Sequence, residues 1–193
     1  MKRRMYFLKQ YVIALIVLSV GLLLFSRLYA KNAQAAAAIT VSKIETLLPP
    51  STPGVPGVYS DPEMPALQVD GRDYIGLLRF PAYGAALPIA GQWDDLRILS
   101  CPCRFYGSVY DGTMIIGGSD QQGQFDFFDR MDLGDKVVFT DMMGTAFTYT
   151  VERIDRAKSA DYETLSSGDY PLTLFVRSAY SMEYIFVRCS LPT

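Results

Sequence analysis

Between Tyr11 and Ala30 the chain is almost wholly Val, Ile, Leu, Ala and Phe, interrupted after its first residue only by Ser19, Gly21, Ser26, Arg27 and Tyr29. As a helix, so apolar a run belongs inside a protein core or a bilayer. At about 1.5 Å of rise per residue, the stretch from Tyr11 to Phe25 or slightly beyond crosses most of a ~30 Å hydrocarbon core, with Arg27 snorkelling at the far side. Lys2, Arg3, Arg4 and Lys9 precede it, and that positive charge places the amino terminus in the cytoplasm. The competing reading is a cleaved signal peptide, because Ala33 and Ala35 in AKNAQAAAA satisfy the small-residue rule of a cleavage site. The retained anchor is preferred: the run is long for a cleaved segment, and Arg27 and Lys31 stand between it and the alanines. Either reading exports residues 40–193, and the retained anchor makes the chain a single-pass membrane protein with an extracytoplasmic carboxyl-terminal domain.

Charge is divided unevenly too. Residues 1–31 hold 6 of the 18 basic residues and no acid, leaving 12 basic against 20 acidic residues beyond Lys31, a balance of −8. Nucleic-acid affinity comes largely from cations placed along the phosphates, so an acidic body excludes DNA and RNA as partners. The chain has no histidine, which removes every mechanism that needs an imidazole base, ligand or pH switch. Half of its 193 residues are hydrophobic, enough for one ordinary folded domain.

Six prolines, Pro49, Pro50, Pro53, Pro56, Pro62 and Pro65, fall between Thr40 and Asp73. Proline lacks the amide proton of a ladder or helix, so this stretch reads as an extended stalk, with an irregular arm packed on the domain as the alternative. The organisation expected is therefore a tail and anchor over 1–31, an Ala/Pro-rich linker over 32–73 and a folded domain over 74–193. In that domain, runs of β-branched and aromatic residues predict strands at 74–80, 114–116, 136–140, 146–154, 172–177 and 184–188, separated by Gly, Pro, Asp and Ser. Met143 and Gly144 mark a hairpin. Helical spacing predicts two short helices, 124–131 and 160–166, the first with Phe125, Phe128 and Met131 as packing residues. The fold class is all-β, a barrel or sandwich.

The blocks of this domain resemble the sortase family. YIGLLRFPAYGAALPI at 74–89 is similar to the opening strand of a sortase. DLRILSCPCRFYGSVYDGTMIIGGSD at 95–120 resembles the segment that ends there in AGH or YGH. GQFDFFDRMDLGDKVVFTD at 123–141 is similar to the class B-like run of a helix and an LxxGD-like turn. AFTYTVERID, PLTLFVRS and EYIFVRC, at 146–155, 171–178 and 183–189, resemble the next strand, the strand ending TLxTC and the last strand with its RxxVR. The resemblance covers about residues 74–190 and implies a closed sortase-like β-barrel in a Gram-positive-type cell envelope. In that family a cysteine thiolate attacks a sorting peptide, a histidine handles the proton and an arginine holds substrate or oxyanion.

At the positions matching histidine, cysteine and arginine stand Ser119, Arg177 and Tyr184. Losing a coupled nucleophile and base costs on the order of 10⁶ in rate. A guanidinium is no nucleophile; Arg177 can at most bind a carboxylate or lie against an aromatic ring. The expectation is a degenerate sortase, a pseudoenzyme that binds a sorting-signal peptide, a surface-protein substrate or an active sortase. The alternatives are an active acyltransferase with a relocated nucleophile, such as Ser178 paired with Lys136 or Lys158, and a purely structural envelope module. Tyr106, Tyr110, Ser178 and Tyr180 are candidate groove residues. Cys189 should point away from Tyr184, Phe186 and Arg188 by strand alternation, and Cys103 with Cys189 is the candidate disulfide if one forms, free buried thiols being the alternative. No cofactor or metal is implied: Asp94, Asp95, Asp126, Asp129 and Asp132 lack calcium-loop spacing and read as solvated acids.

Overall fold

A computed structural model describes residues 2–166, 168–178 and 181–192. One helix, α1 (Lys2–Leu47), is followed by strands β1 (Thr52–Pro53), β2 (Leu67–Val69), β3 (Arg72–Phe80), β4 (Ala85–Ala90), β5 (Cys103–Tyr106), β6 (Met114–Ser119), β7 (Lys136–Asp141) and β8 (Thr145–Ala157). A single helical turn, α2 (Tyr162–Leu165), then precedes β9 (Leu172–Arg177) and β10 (Tyr184–Ser190). Going round the sheet, the order β3, β4, β5, β6, β9, β10, β8, β7 returns to β3 and closes an eight-stranded barrel, with β1 and β2 added outside the ring. The all-β class, the closed barrel and the leading apolar helix are thus as the sequence led one to expect.

All six expected strands form. β4 and β5 were not anticipated, and Pro88 explains the first. β4 pairs with β3 along its length but touches β5 only at Ala90 and Cys103, so the proline lies where a missing amide costs no ladder bond. The longer helix expected over 124–131 shrinks to a 3-10 turn at Phe128–Arg130. Its phenylalanines earn burial by filling the barrel's end, where Phe125 stacks on Phe128 at 4.2 Å and both meet Phe80 edge-on. Asp141 fixes the expected hairpin: its buried carboxylate accepts the Met143 and Thr145 amides at 2.9 and 2.7 Å, while Gly144 takes a φ of 80°.

The stalk expected over 40–73 is not extended. Its first residues continue α1, and Val41 and Ile44 bury against Tyr74, Leu77, Ala90 and Cys103. The proline-rich remainder is laid on the barrel: Thr52 and Pro53 pair with β8, Met64 enters the main core, and Tyr59 lies 4.6 Å from the Tyr110 ring. Burial decides this docking. Ile44 alone contributes roughly 1.5–3 kcal/mol, whereas the exposed pairs Lys43–Asp70 and Arg79–Glu45 contribute about 0–1 kcal/mol each. Residues Lys9–Leu28 stay wholly exposed and are long and apolar enough to cross a membrane.

Burial also holds protons. Desolvation, then its hydrogen bond to Asp135, pushes the Tyr83 hydroxyl up to about 12. Tyr110, beside Asp141, and Tyr149 are pushed up by the same first cause, as is the Cys189 thiol. The folded state thus keeps protons that the unfolded chain releases near 9 for cysteine and 10 for tyrosine. The stability they confer is complete below those values and is lost as pH rises through the folded ones. Thermal unfolding followed by circular dichroism should give a melting temperature that is insensitive to these groups up to about pH 9 and falls progressively between pH 9 and 12.

Candidate functional site

β6 runs parallel to β9, and β9 antiparallel to β10. Their register sets Ser119 opposite Arg177 and Arg177 opposite Tyr184. Gly117, Phe175 and Phe186 form the next row on the same face, and Ile115, Thr173 and Arg188 the one after. Residues between them, Ile116, Leu174, Val176, Ile185 and Val187, point into the main core. The three residues matched to the sortase triad therefore share one row on the barrel's outer face, although 58 and 65 positions separate Ser119 from its two partners along the chain.

This row floors a cleft of about 410 Å³, walled by Trp93, Ile98, Leu99 and Phe105 and also lined by Asp120. Trp93 lies 5.7 Å from Phe175 in a stacked arrangement, and Phe105 meets both rings edge-on at 5.1 and 5.6 Å. Gly117 permits this packing: a Cβ there would come 2.5 Å from Trp93 and 2.6 Å from Phe175. Gln124 braces the walls, its side chain accepting the Ser119 amide and donating to the Ile98 carbonyl, both at 3.2 Å. Asp94 caps the turn behind Trp93 by accepting the Leu96 and Arg97 amides, bonds that lower its carboxyl below the usual range. Asp95 accepts the Trp93 indole proton at 2.9 Å. Two of the acids read as solvated thus shape the wall. Among the described residues, no group of three metal-ligating side chains is assembled.

Within the row, the Arg177 guanidinium stands 6.0 Å from the Tyr184 ring centroid, the aromatic contact anticipated for it. The Ser119 hydroxyl accepts the Gln121 amide at 3.2 Å. No thiol or imidazole lines the cleft. Cys189 faces inward, fully buried, with its thiol pushed up by desolvation. Ser178 is buried, its hydroxyl accepts the Ser181 amide at 3.3 Å, and its backbone closes the loop on Glu183 and Met182. No described lysine bonds to it, so the relocated serine–lysine pair is not assembled.

The other expected site residues are dispersed. Tyr106 meets Tyr162 edge-on at 5.4 Å and lines a separate cavity of about 610 Å³ instead of the cleft. Tyr110 belongs to the core, its hydroxyl donating to Asp141 at 2.7 Å, because its ring lies under Tyr59 of the packed arm. Tyr180 lies outside the described residues. Cys103 and Cys189 do not form a disulfide: they sit in different core clusters on opposite sides of the barrel wall, and all three thiols are free and buried.

Sequence reasoning missed Trp93, Phe105, Phe175 and Gln124. Phe175 was accessible, since alternation along LTLFVR sets it on one face with Arg177. Trp93 was marked only by being the chain's single tryptophan. Arg188, the second arginine position of the last-strand motif, is buried and structural. Its guanidinium donates to the Thr164 and Leu165 carbonyls and to the Thr173 hydroxyl, pinning α2 to the barrel.

No family model matches this chain, and no curated protein matches it. Solved structures do. Sortase A from Corynebacterium diphtheriae, a lid mutant, superposes with a TM-score of 0.53 at 23% identity over 61% of this chain and 69% of that one. Sortase C1 from Streptococcus agalactiae gives 0.55 at 20% over 66% and 72%. Sortase C from Clostridium perfringens SM101 gives 0.51 at 18% over 63% and 71%. The chain has the sortase fold. These neighbours are of the A and C types, so the class B-like likeness of residues 123–141 is not carried by them.

Gly117→Ala should displace Trp93 from Phe175 while leaving the inward-facing core in place. The expected outcome is a red shift of tryptophan emission with an unchanged far-ultraviolet circular dichroism spectrum. An unshifted emission would show that the wall does not depend on this close approach.

Proposed function

We propose that this sortase-fold protein acts without transpeptidation, as a peptide-binding module held at the extracytoplasmic face of a Gram-positive-type cell membrane by α1. Its ligand is a sorting-signal peptide, a surface-protein substrate or an active sortase beside it. The observation that carries this reading is the row of Ser119, Arg177 and Tyr184: the cleft persists, but its row offers neither a thiolate nor a base. Serine without a base and arginine without a nucleophile beside it supply positioning and charge only. Lys2, Arg3, Arg4 and Lys9 before the apolar span support the outward orientation of the barrel.

Covalent probes test it. The full chain in lipid nanodiscs should remain unlabelled by a thiol-reactive sorting-peptide analogue and by a fluorophosphonate; labelling by either would overturn the reading. The combined substitution Ser119→His, Arg177→Cys and Tyr184→Arg should confer labelling by the peptide analogue at the introduced thiol. A folded triple variant that stays unlabelled would count against a peptide-shaped cleft.

A further inference from the structure

We propose that the cleft recognises a single carboxylate on an apolar peptide, with Arg177 as the anchoring cation and the Ser119 hydroxyl as a second donor. This inference rests on the peptide-binding reading and narrows it to a chemical class.

Arg177 differs from the barrel's paired arginines. Arg79, Arg153, Arg156 and Arg188 each meet a carboxylate at 2.6–3.5 Å, whereas among the described residues none pairs with Arg72, Arg97, Arg104, Arg130 or Arg177, and of these five Arg177 is the one that lines the cleft. Its guanidinium lies over the Tyr184 ring, beside the strand row. The planar fork of an arginine matches the two oxygens of a carboxylate. Ser119 lies directly across the strand pair. Its oxygen already accepts the Gln121 amide, and its proton, which meets no acceptor among the described residues, is the natural donor to an incoming oxygen.

The walls define the rest of the ligand. Trp93, Ile98, Leu99 and Phe105 present apolar surface beside the guanidinium. They would cover aliphatic side chains and strengthen a charge-assisted bond by excluding water. Arg177 is the one cationic side chain among the cleft's described lining residues, so a monoanion fits better than a phosphate or an acidic cluster. The excess of acid over base beyond Lys31 gives no long-range attraction for anions, so recognition has to be short-range and local to Arg177.

The test uses the full chain in zwitterionic nanodiscs, with Trp93 fluorescence and calorimetry as readouts. Three probes share one apolar sequence: acetyl-Ala-Leu-Ala-Leu-Ala as the free acid, the same peptide as its amide, and the amide with Glu in the last position. A carboxylate-bearing probe should bind about tenfold or more tightly than the uncharged amide, the difference expected of hydrogen bonds to a charged group. Arg177→Gln should abolish that preference, Arg177→Lys should keep part of it, and Arg153→Gln should leave it intact. Tight binding of the free acid alone would identify a chain terminus; equal binding of the Glu peptide would identify an acidic side chain; either supports the proposal. Equal affinity for all three probes, or a preference that survives Arg177→Gln, overturns it while leaving peptide binding standing. Failure of every probe to bind overturns the peptide-binding reading and this inference together.

Discussion

The parallel pairing of β6 with β9 is the constraint on which both the barrel and its cleft depend. It joins two strands separated by the whole of β7, β8 and α2, so it forms only after a long excursion of chain has folded back. Once formed, it fixes which residues face out. Register in a sheet is unforgiving: a slip of one residue would turn Ser119 and Arg177 into the core and bring Ile116 or Val176 to the surface. The apolar inner face therefore enforces the geometry of the outer one. Ile116, Leu174 and Val176 are fully buried, and that burial holds Ser119 opposite Arg177 as firmly as any contact between the two.

Strand alternation also separates the energetics of the fold from the chemistry of the site. The core uses one set of side chains on β6, β9 and β10, and the cleft uses the other. A cysteine, histidine or arginine on the outer row adds little to the burial that stabilises the barrel, so such residues can be exchanged with little loss of stability. Arg188 is the instructive contrast. It lies on the same outer face, two rows from Arg177, yet it is buried beneath α2 and bonded to two backbone carbonyls. Removing it would take a charged donor from both carbonyls.

What could be read from the sequence follows the same division. Strands with a dense apolar pattern, such as 172–177, emerge with their bounds intact, and their order sufficed for the barrel. The elements that escaped are those whose form is decided by distant partners. β4 contains a proline that is harmless only because its neighbour pairs elsewhere. Residues 124–131 carry helical spacing but fill the barrel end as turns, since three phenylalanines bury better there than in a regular helix. Residues 40–73 read as a stalk because proline content reports on hydrogen bonding and is silent on packing. Motif order singled out Ser119, Arg177 and Tyr184, and the register sets these three side by side in one row. Tyr106 and Tyr110 were misplaced because proximity in sequence to those motifs says nothing of which face a loop residue takes.

The helix that precedes the barrel is packed on it as well as being apolar enough to cross a bilayer. No spacer intervenes: α1 runs unbroken through Leu47, and Ile44 is buried in the barrel's flank. The loop that follows Ser119 carries Gly123 against Gln34 of the same helix. Gln34 is six residues beyond Leu28, where the apolar span ends, a rise of about 9 Å. The headgroup layer beyond the hydrocarbon is itself roughly 5–7 Å deep. In a bilayer matched to that span, the Gly123 loop would sit just above the headgroups, with the cleft floor beginning four residues earlier in the chain. A helix unbroken in this way would fix the height of the cleft above such a bilayer, which a proline stalk would leave free. Ligands confined to the same surface would then meet the cleft at a defined depth.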